Sequence, residues 1–397
     1  MEKKPKVLLT YIESGMGHIT SIQSIVDSLK NKYGDNFELV TDYIMQHNDV
    51  TRKYERFLTK QVQNTNSIKG FGPFIFAFIE IIGAQGLLRS LHKTVFRKPF
   101  EATLQEIAKI NPDVIVSTHY YITHCAIEYK RRFNPNVVVI TYNPDNNTHV
   151  WWDSRDGYFF VNNEIAAKEA IKRRHFKPDN IRLINYTKRQ VLMDTRGSKQ
   201  DYREKYGLPA DKFTVIIADG AYALGESKNY TNRLLRTKLP ITILYIAGKN
   251  EKMFAYMQKK QQKLAQKGKT NITLKVYPFE PMIHEMYKAS DLFITKAGPN
   301  SILDSILMGT PVCVNFCPQP MEEAAYKHFV KKLHCGFAVF KARKIRKTVE
   351  NLIRNPQELD QYQKHITRIA SGNNGAETIA DFIYCATTAD SATQPTD

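Results

Sequence analysis

Apolar runs alternate along the chain with segments whose apolar positions repeat at helical spacing. The run KVLLTYI at residues 6–12 precedes Ile22, Ile25, Val26 and Leu29, spaced i, i+3, i+4 and i+7, a pattern typical of a strand followed by an amphipathic helix. The runs FELVTDY, PDVIVST, NVVVITYN and DGYFFVNN continue the series. Because strands that alternate with helices pair through crossover connections, the pattern predicts a parallel sheet with helices on both faces.

The pattern restarts after the polar segment RGSKQDYREKYGLPADK, with FTVIIADG, ITILYIAGK, ITLKVYPF, DLFIT and PVCVNF. A chain of 397 residues is long enough for two domains. We therefore predict an α/β protein of two doubly wound, Rossmann-like domains, over residues 1–190 and 198–375, which face each other across a ligand-binding cleft. A C-terminal helix is predicted at 376–386, and a disordered tail of small polar residues at 387–397.

The loop ESGMGH at residues 13–18 joins the first strand to the first helix. Its two glycines permit a close backbone approach, and the N-terminus of the following helix favours anions. Thr20 stands where a dinucleotide-binding fingerprint needs its third glycine, so that motif is incomplete. Glu13 and His18 flank the glycines as candidate acid–base groups, although the spacing also fits a solvated Glu13 and a His18 that caps the helix.

A second strand–turn–helix connection lies at TKAGPNSILDSILMGTPVCVN, residues 295–315. The strand ends at Lys296, Gly298 and the following proline form the turn, and Gly309 ends the helix. A helix N-terminus that opens into a glycine turn beside a lysine is a predicted diphosphate site. Asp304, one turn into the helix, is a candidate acceptor for ribose hydroxyls. An ordinary strand–helix turn would have the same local spacing.

The net charge of +18 favours anionic partners. The basic residues are spread out, as at residues 3–6, 52–56, 172–174 and 341–347, and no zinc-finger, RNA-recognition or basic-zipper pattern accompanies them. We therefore expect no nucleic-acid partner. Five dispersed cysteines fit a reducing cytoplasm. No Asp-x-Asp pair and no paired zinc-ligand spacing occurs, so no metal site is predicted.

The most apolar part of the chain is IKGFGPFIFAFIEIIGAQGLLRSLHKTVFRK, residues 68–98. Its unbroken apolar stretches are shorter than the roughly 20 residues that span a bilayer, and basic residues flank it. This combination predicts an interfacial segment that contacts an anionic membrane surface. An internal helix or a protein interface would share the same composition.

The segment at 295–315 resembles the donor-nucleotide signature of glycosyltransferase family 28, of the GT-B fold class. That family includes the monogalactosyldiacylglycerol synthases and the processive diacylglycerol glucosyltransferases. ESGMGHITSIQSI is similar to an Asp-Thr-Gly-Gly-Gly-His loop in the family's first domain, and NPDVIVSTH and TYNPDNNTHVWWDSRDGYFFVNNE resemble further segments. The likeness runs in collinear order over residues 6–336. It implies an acceptor- and membrane-binding domain at 1–190 and a UDP-sugar-binding domain at 198–375.

The resemblance implies an inverting, metal-independent hexose transfer from a UDP-sugar, without a cofactor, to a membrane lipid such as diacylglycerol or a glycolipid. It further implies a cytoplasmic protein at the inner face of the cell membrane. Glu13 would be the general base on the acceptor hydroxyl, His18 would orient the acceptor or share the proton, and Asp145 is a second candidate base. The acceptor loop would comprise Gly15, Met16 and Gly17. The donor site would comprise Gly220, Ala221, Gly248, Phe279, Lys296, Gly298, Pro299, Asn300, Ser301, Asp304, Glu322 and Glu323.

Several positions depart from the family pattern. Glu13 replaces an aspartate, Met16 a glycine, and Asp304 a longer glutamate. Within PMEEAAY, Glu322 and Tyr326 stand at glutamine and asparagine positions. The altered sugar pocket leaves open an unusual donor or a non-catalytic nucleotide-sugar-binding protein. A further alternative is another GT-B enzyme, either a UDP-sugar epimerase or a transferase with a soluble acceptor.

Overall fold

The computed structural model describes residues 3–12, 16–57, 94–152, 156–223, 225–268, 271–317 and 320–388. By its internal contacts the chain divides into two compact units, residues 1–190 together with 373–397, and residues 191–372. Most of the apolar segment at 68–98 lies outside the described residues. Among those described, no helix has the length and apolar character needed to cross a membrane.

The first unit contains a six-stranded sheet whose strands run parallel, in the order β2-β1-β3-β4-β5-β6. Alternate residues of its central strands face opposite sides: Val7 and Leu9 lie in one buried cluster and Leu8 in the other. This is the strand periodicity of two, with both faces apolar because helices cover both. The strands are β1 Lys6–Thr10, β2 Glu38–Asp42, β3 Val114–Ser117, β4 Val138–Asn143, β5 Tyr158–Val161 and β6 Ile181–Leu183.

The final helix, Gly375–Thr388, completes the core of this first unit. Its Ile379 and Ile383 are fully buried beside residues of the first helix. Tyr33 stacks on Tyr384 with ring centroids 4.4 Å apart. The sequence pattern predicts this helix as an element separate from both domains, whereas its packing places it in the first unit. The helices of the unit are Met16–Tyr33, Arg97–Ile110, Tyr120–Arg132, Glu164–Arg174 and Gly375–Thr388, with further helical residues at 49–57.

The second unit contains another six-stranded parallel sheet, in the order β12-β11-β10-β7-β8-β9. Its strands are β7 Phe213–Ala218, β8 Ile241–Ile246, β9 Ile272–Tyr277, β10 Leu292–Lys296, β11 Val312–Phe316 and β12 Gly336–Ala338. The helices around it are Lys199–Lys205, Ser227–Leu234, Glu251–Gln266, Ile283–Ala289, Pro299–Leu307, Pro320–Ala325, Ala342–Arg354 and Asp360–Ala370, with a π-helix at Tyr326–Lys332. The short helix Gln190–Met193 lies where the two units divide.

Each sheet contains one point where the strand order reverses, between β1 and β3 in the first unit and between β7 and β10 in the second. Open parallel sheets bind ligands outside the carboxyl ends of their strands at this switch point. The predicted pair of doubly wound domains is confirmed, and both glycine loops singled out in the sequence follow a strand that borders a switch point.

Candidate active site

In the first unit, His18 lies at the switch point and contacts the end of β3. Its Nδ1 is 2.5 Å from the carbonyl oxygen of Thr118, and the Thr118 hydroxyl donates to the carbonyl oxygen of His18 at 3.1 Å. Because a carbonyl oxygen only accepts hydrogen bonds, the contact assigns the proton to Nδ1. In the neutral ring Nε2 then carries the lone pair.

Burial lowers the pKa of His18, while the negative charge of Asp145 acts in the opposite direction. The Asp145 carboxylate lies 3.4 Å from Nε2 of His149, and the ring of His119 lies edge-on to that of His18, with centroids 5.2 Å apart. The neutral form of His18 is therefore favoured, with a carboxylate near enough to stabilise the charge if a proton arrives.

The structure thus brings together two of the three predicted acid–base residues, His18 and Asp145. Glu13 and Gly15 lie outside the described residues, as does the side chain of Met16. Gly17 is buried in the first turn of the helix that carries His18. The role of Glu13 as a base therefore stays a prediction.

In the second unit, the buried carboxylate of Asp219 lies at the switch point and accepts hydrogen bonds from three segments of the chain. Its Oδ2 accepts a hydrogen bond from the backbone N–H of Ser227 at 2.6 Å. Its Oδ1 accepts from the backbone N–H of Lys296 at 2.9 Å and from the Asn315 side-chain amide at 3.3 Å. Burial raises the pKa of Asp219, and these hydrogen bonds partly offset that effect. The carboxylate ties the end of β7 to the ends of β10 and β11.

Gly220 and Gly248 shape two adjoining turns at the same edge of the sheet. Gly220 has φ +75°, and Gly248 has φ +61°. A Cβ on Gly248 would lie 2.3 Å from the carbonyl oxygen of Ala221, which also accepts a 2.7 Å hydrogen bond from the N–H of Lys249. Glycine is required at 248 on both conformational and steric grounds. The three predicted residues of this region lie together.

The Lys249 side chain lies beside two exposed aromatic rings. Its Nζ is 5.7 Å from the ring centroid of Tyr222 and 5.6 Å from that of Phe279, within the range of a cation–π interaction. The predicted donor residue Phe279 thus belongs to an exposed aromatic and cationic surface that follows β7, β8 and β9.

Lys296 forms an ion pair with Glu322, with Nζ 2.7 Å from Oε1. Glu322 is 5% exposed, and its Oε2 has no hydrogen-bond partner within the described parts of the chain. Glu323 instead points to solvent and pairs with Lys327 at 2.6 Å. Of the two predicted glutamates, only Glu322 therefore contacts Lys296.

The helix Pro299–Leu307 begins beside Lys296, with Gly298 as its N-cap and no side-chain capping bond. Pro299 supplies no N–H, so the backbone N–H groups of Asn300 and Ser301 form the positive end of the helix. Asp304 lies half-buried one turn further on. Across the described ranges, no group of three or more His, Cys, Asp or Glu is arranged to hold a metal ion.

Sequence reasoning missed several residues that organise these sites. In the first unit they are Thr118 and His149, and in the second Asp219, Lys249 and Asn315. Asp219 directly precedes the predicted Gly220, but two of its three hydrogen-bond partners, Lys296 and Asn315, are distant in sequence.

Two family models match consecutive parts of the chain. Residues 18–184 match monogalactosyldiacylglycerol synthase, and residues 220–383 match the glycosyltransferase family 28 C-terminal domain. The first match contains His18, and the second contains the turns at Gly220 and Gly248 and the helix after β10.

Curated relatives include a processive diacylglycerol beta-glucosyltransferase from Bacillus pumilus, 20% identical over 96% of both chains. A probable monogalactosyldiacylglycerol synthase 3 from Oryza sativa subsp. japonica is 25% identical over 78% of this chain and 60% of its own. A similar enzyme from Nicotiana tabacum is covered over 58% of its length. The chain thus spans about three fifths of these two plant relatives.

Solved structures show the same fold at low sequence identity. MurG from Acinetobacter baumannii aligns with a TM-score of 0.59 at 13% identity, over 96% of this chain and 99% of that one. A UDP-glucosyltransferase from Polygonum tinctorium aligns with a TM-score of 0.61 at 10% identity, over 98% and 100%. These likenesses establish the GT-B fold. Together with the two consecutive family matches, they confirm the resemblance of this chain to glycosyltransferase family 28.

Proposed function

We propose that this protein transfers a hexose from a UDP-sugar to the hydroxyl group of a diacylglycerol-type membrane lipid. The observation that carries the proposal is the collinear match, over 96% of both chains, to a protein named as a processive diacylglycerol beta-glucosyltransferase. The two switch-point sites support it, since one unit presents an imidazole base and the other an anion-binding turn.

The donor diphosphate is assigned to the turn at Gly298, where the backbone N–H groups of Asn300 and Ser301 and the ammonium group of Lys296 carry positive charge. Negative charge grows on the leaving diphosphate as the glycosidic bond breaks, and fixed dipoles at a helix N-terminus stabilise it without reorganisation. The exposed Phe279 surface would receive the uracil ring, and Asp304 the ribose hydroxyls. This arrangement needs no metal ion.

Proton removal is assigned to Nε2 of His18, because the Thr118 contact fixes the other ring nitrogen as a donor. The acceptor oxygen attacks the anomeric carbon, the bond to UDP breaks on the opposite face, and the configuration inverts. The hydroxyl proton passes to His18, whose positive charge the carboxylate of Asp145 stabilises. Glu13, the carboxylate of the same sequence loop, stays the alternative base, in which case His18 would orient the acceptor or share the proton.

The sugar subsite is assigned to Glu322. Its Oε1 is paired with Lys296, and its Oε2 has no hydrogen-bond partner within the described residues. A carboxylate only accepts hydrogen bonds, so Oε2 would accept a hydrogen bond from a hydroxyl group of the hexose.

The test is incubation of the full-length protein with a panel of UDP-hexoses and either diacylglycerol or a glycolipid in mixed micelles. We expect a hexosyl lipid by mass spectrometry, inverted anomeric configuration by NMR, and undiminished turnover with EDTA. A free epimerised sugar would instead identify an epimerase, and product only with a water-soluble alcohol would identify a soluble acceptor. UDP binding without any product would identify a non-catalytic binding protein.

We also propose that the protein works at the inner, anionic face of the cell membrane. The apolar segment at 68–98, with its basic flanks, supports this location. Flotation with neutral and anionic vesicles tests it, and a protein that remains at the bottom of the gradient with both would refute it.

A further inference from the structure

The second unit contains a long stretch in which positive charge predominates, and two of its basic residues, Lys327 and Arg346, pair with the glutamates that border it. Between Glu323 and Glu350 the chain has eight Lys and Arg residues and no Asp or Glu. The stretch includes the cluster from Lys341 to Lys347, to which neither the donor site nor the proposed base assigns any role.

The helix Ala342–Arg354 sorts this charge onto one side. Ile345, Val349 and Leu352 are buried against the sheet, whereas Arg343, Lys344 and Lys347 are exposed. No described residue pairs with any of these three in a salt bridge. They also crowd the first turns of the helix, which contain no acidic residue, so they add to the positive end of the helix dipole. Such an arrangement is unfavourable until an anion approaches.

An exposed aromatic residue adjoins these charges. Phe340 precedes the helix and is 51% exposed. Its ring lies edge-on to that of Tyr326, with centroids 5.4 Å apart, and the ammonium group of Lys331 lies 5.8 Å from the Tyr326 ring. Lys341 follows Phe340 and is exposed. We name six exposed residues of this segment the basic–aromatic patch: Lys331, Phe340, Lys341, Arg343, Lys344 and Lys347.

We infer that the basic–aromatic patch docks on an anionic lipid bilayer. A large exposed ring among lysines and arginines suits a bilayer, because the ring enters the apolar boundary while the cations remain among anionic headgroups. Apart from Lys331, the patch follows the carboxyl end of β12, the edge of the sheet at which Lys296 also ends its strand. The choice of lipid over other anions rests on the proposed function, whereas the patch itself lies in a different unit from the segment at 68–98.

The test measures partition of the full-length protein onto vesicles of phosphatidylcholine alone and with phosphatidylglycerol. Each Lys or Arg near an anionic surface contributes about fivefold to binding. The triple substitution Arg343→Gln, Lys344→Gln, Lys347→Gln should therefore weaken binding to anionic vesicles by about tenfold to a hundredfold. Phe340→Ser should weaken binding even at high salt, where charge attraction is screened.

The matched control is Lys259→Gln, Lys263→Gln, Lys267→Gln. It removes the same charge from exposed positions around the helix Glu251–Gln266 and should change binding by no more than about twofold. An equal loss in both triple variants would show that net charge alone acts, and would overturn the inference. Unchanged vesicle binding with lost RNA or protein binding would overturn it as well.

Failure of the docking inference and failure of the proposed function give different results. Transfer to a short-chain acceptor in detergent micelles does not require a bilayer, and UDP affinity does not require the patch. If the triple variant retains both but loses vesicle binding, both ideas stand. If vesicle binding depends on the patch while no UDP-sugar is ever consumed, only the enzymatic proposal fails.

Discussion

Gly248 is the position at which a single methyl group should damage the donor site most directly. Its backbone has φ +61°, a conformation that costs an L-residue about 1–2 kcal/mol. An added Cβ would also lie 2.3 Å from the carbonyl oxygen of Ala221 and 2.8 Å from its carbonyl carbon. This oxygen belongs to the backbone and accepts a hydrogen bond from the N–H of Lys249. The clash can therefore be relieved only if the whole turn moves.

Gly268 provides a control with the same backbone conformation. Its φ is also +61°, but no atom outside its neighbours lies within 4 Å of the position of an added Cβ. Gly268→Ala should therefore cost only the conformational strain, about 1 kcal/mol after the gain from a stiffer unfolded chain. Gly248→Ala adds overpacking of about 1–3 kcal/mol and a weakened hydrogen bond of about 1 kcal/mol. The difference between the two variants is about 2–4 kcal/mol.

Thermal unfolding and UDP titration check this difference. A domain of 150–250 residues shifts by about 2–4 °C per kcal/mol, so the transition of the second unit should fall about 4–16 °C further in Gly248→Ala than in Gly268→Ala. UDP affinity should fall only in Gly248→Ala, because the displaced turn adjoins Gly220. Equal melting temperatures and equal UDP affinities in the two variants would refute the steric argument.

Three further predictions concern other parts of the two units. His18→Ala should lower kcat by about 10²–10⁴-fold with UDP affinity unchanged in a titration. Because the pKa of His18 is lowered, the acid limb of kcat/KM in a pH profile should lie below pH 6.5. The free energy of unfolding should also fall as the pH drops below 6.5, because the imidazole binds a proton in the unfolded chain and stays neutral in the folded one. Lys296→Met should cost about 3–5 kcal/mol in denaturant unfolding, because it leaves Glu322 buried and unpaired. The double variant Lys296→Met, Glu322→Gln should recover part of the lost stability but not the UDP affinity. Equal stability of the single and the double variant would contradict the burial argument. Deletion of the C-terminal helix from Gly375 onward should unfold the first unit, so that its amides lose protection from hydrogen exchange while those of the second unit keep it. Equal protection in both units would contradict this prediction.

The alternation of apolar runs and helical spacing was enough to predict the two parallel sheets. Buried strands such as PDVIVST and FTVIIADG read as continuous apolar runs because helices cover both faces of the sheet. The two glycine turns could also be placed, since each follows a strand and opens a helix. Each of these features depends only on the residue types within about twenty consecutive positions.

Asp219 shows what local pattern could not supply. It is one acidic residue before a glycine, and its importance comes from the N–H groups of Ser227 and Lys296 and the amide of Asn315. Lys296 and Asn315 reach Asp219 only because β7, β10 and β11 are neighbours in the sheet, whereas Ser227 begins the helix that follows β7. Likewise, the proton on Nδ1 of His18 depends on Thr118, a hundred residues away.

The sequence by itself determined the class of fold, the positions of the two glycine turns and the accumulation of positive charge, because each depends on residue type and short-range spacing. Only the tertiary structure decided that Glu322 rather than Glu323 meets Lys296, and that the last helix belongs to the first unit. It also decided that the charges after Phe340 face solvent together. The physical reason is that pairing and burial depend on distances between segments that the strand order sets, and strand order is a property of the folded sheet.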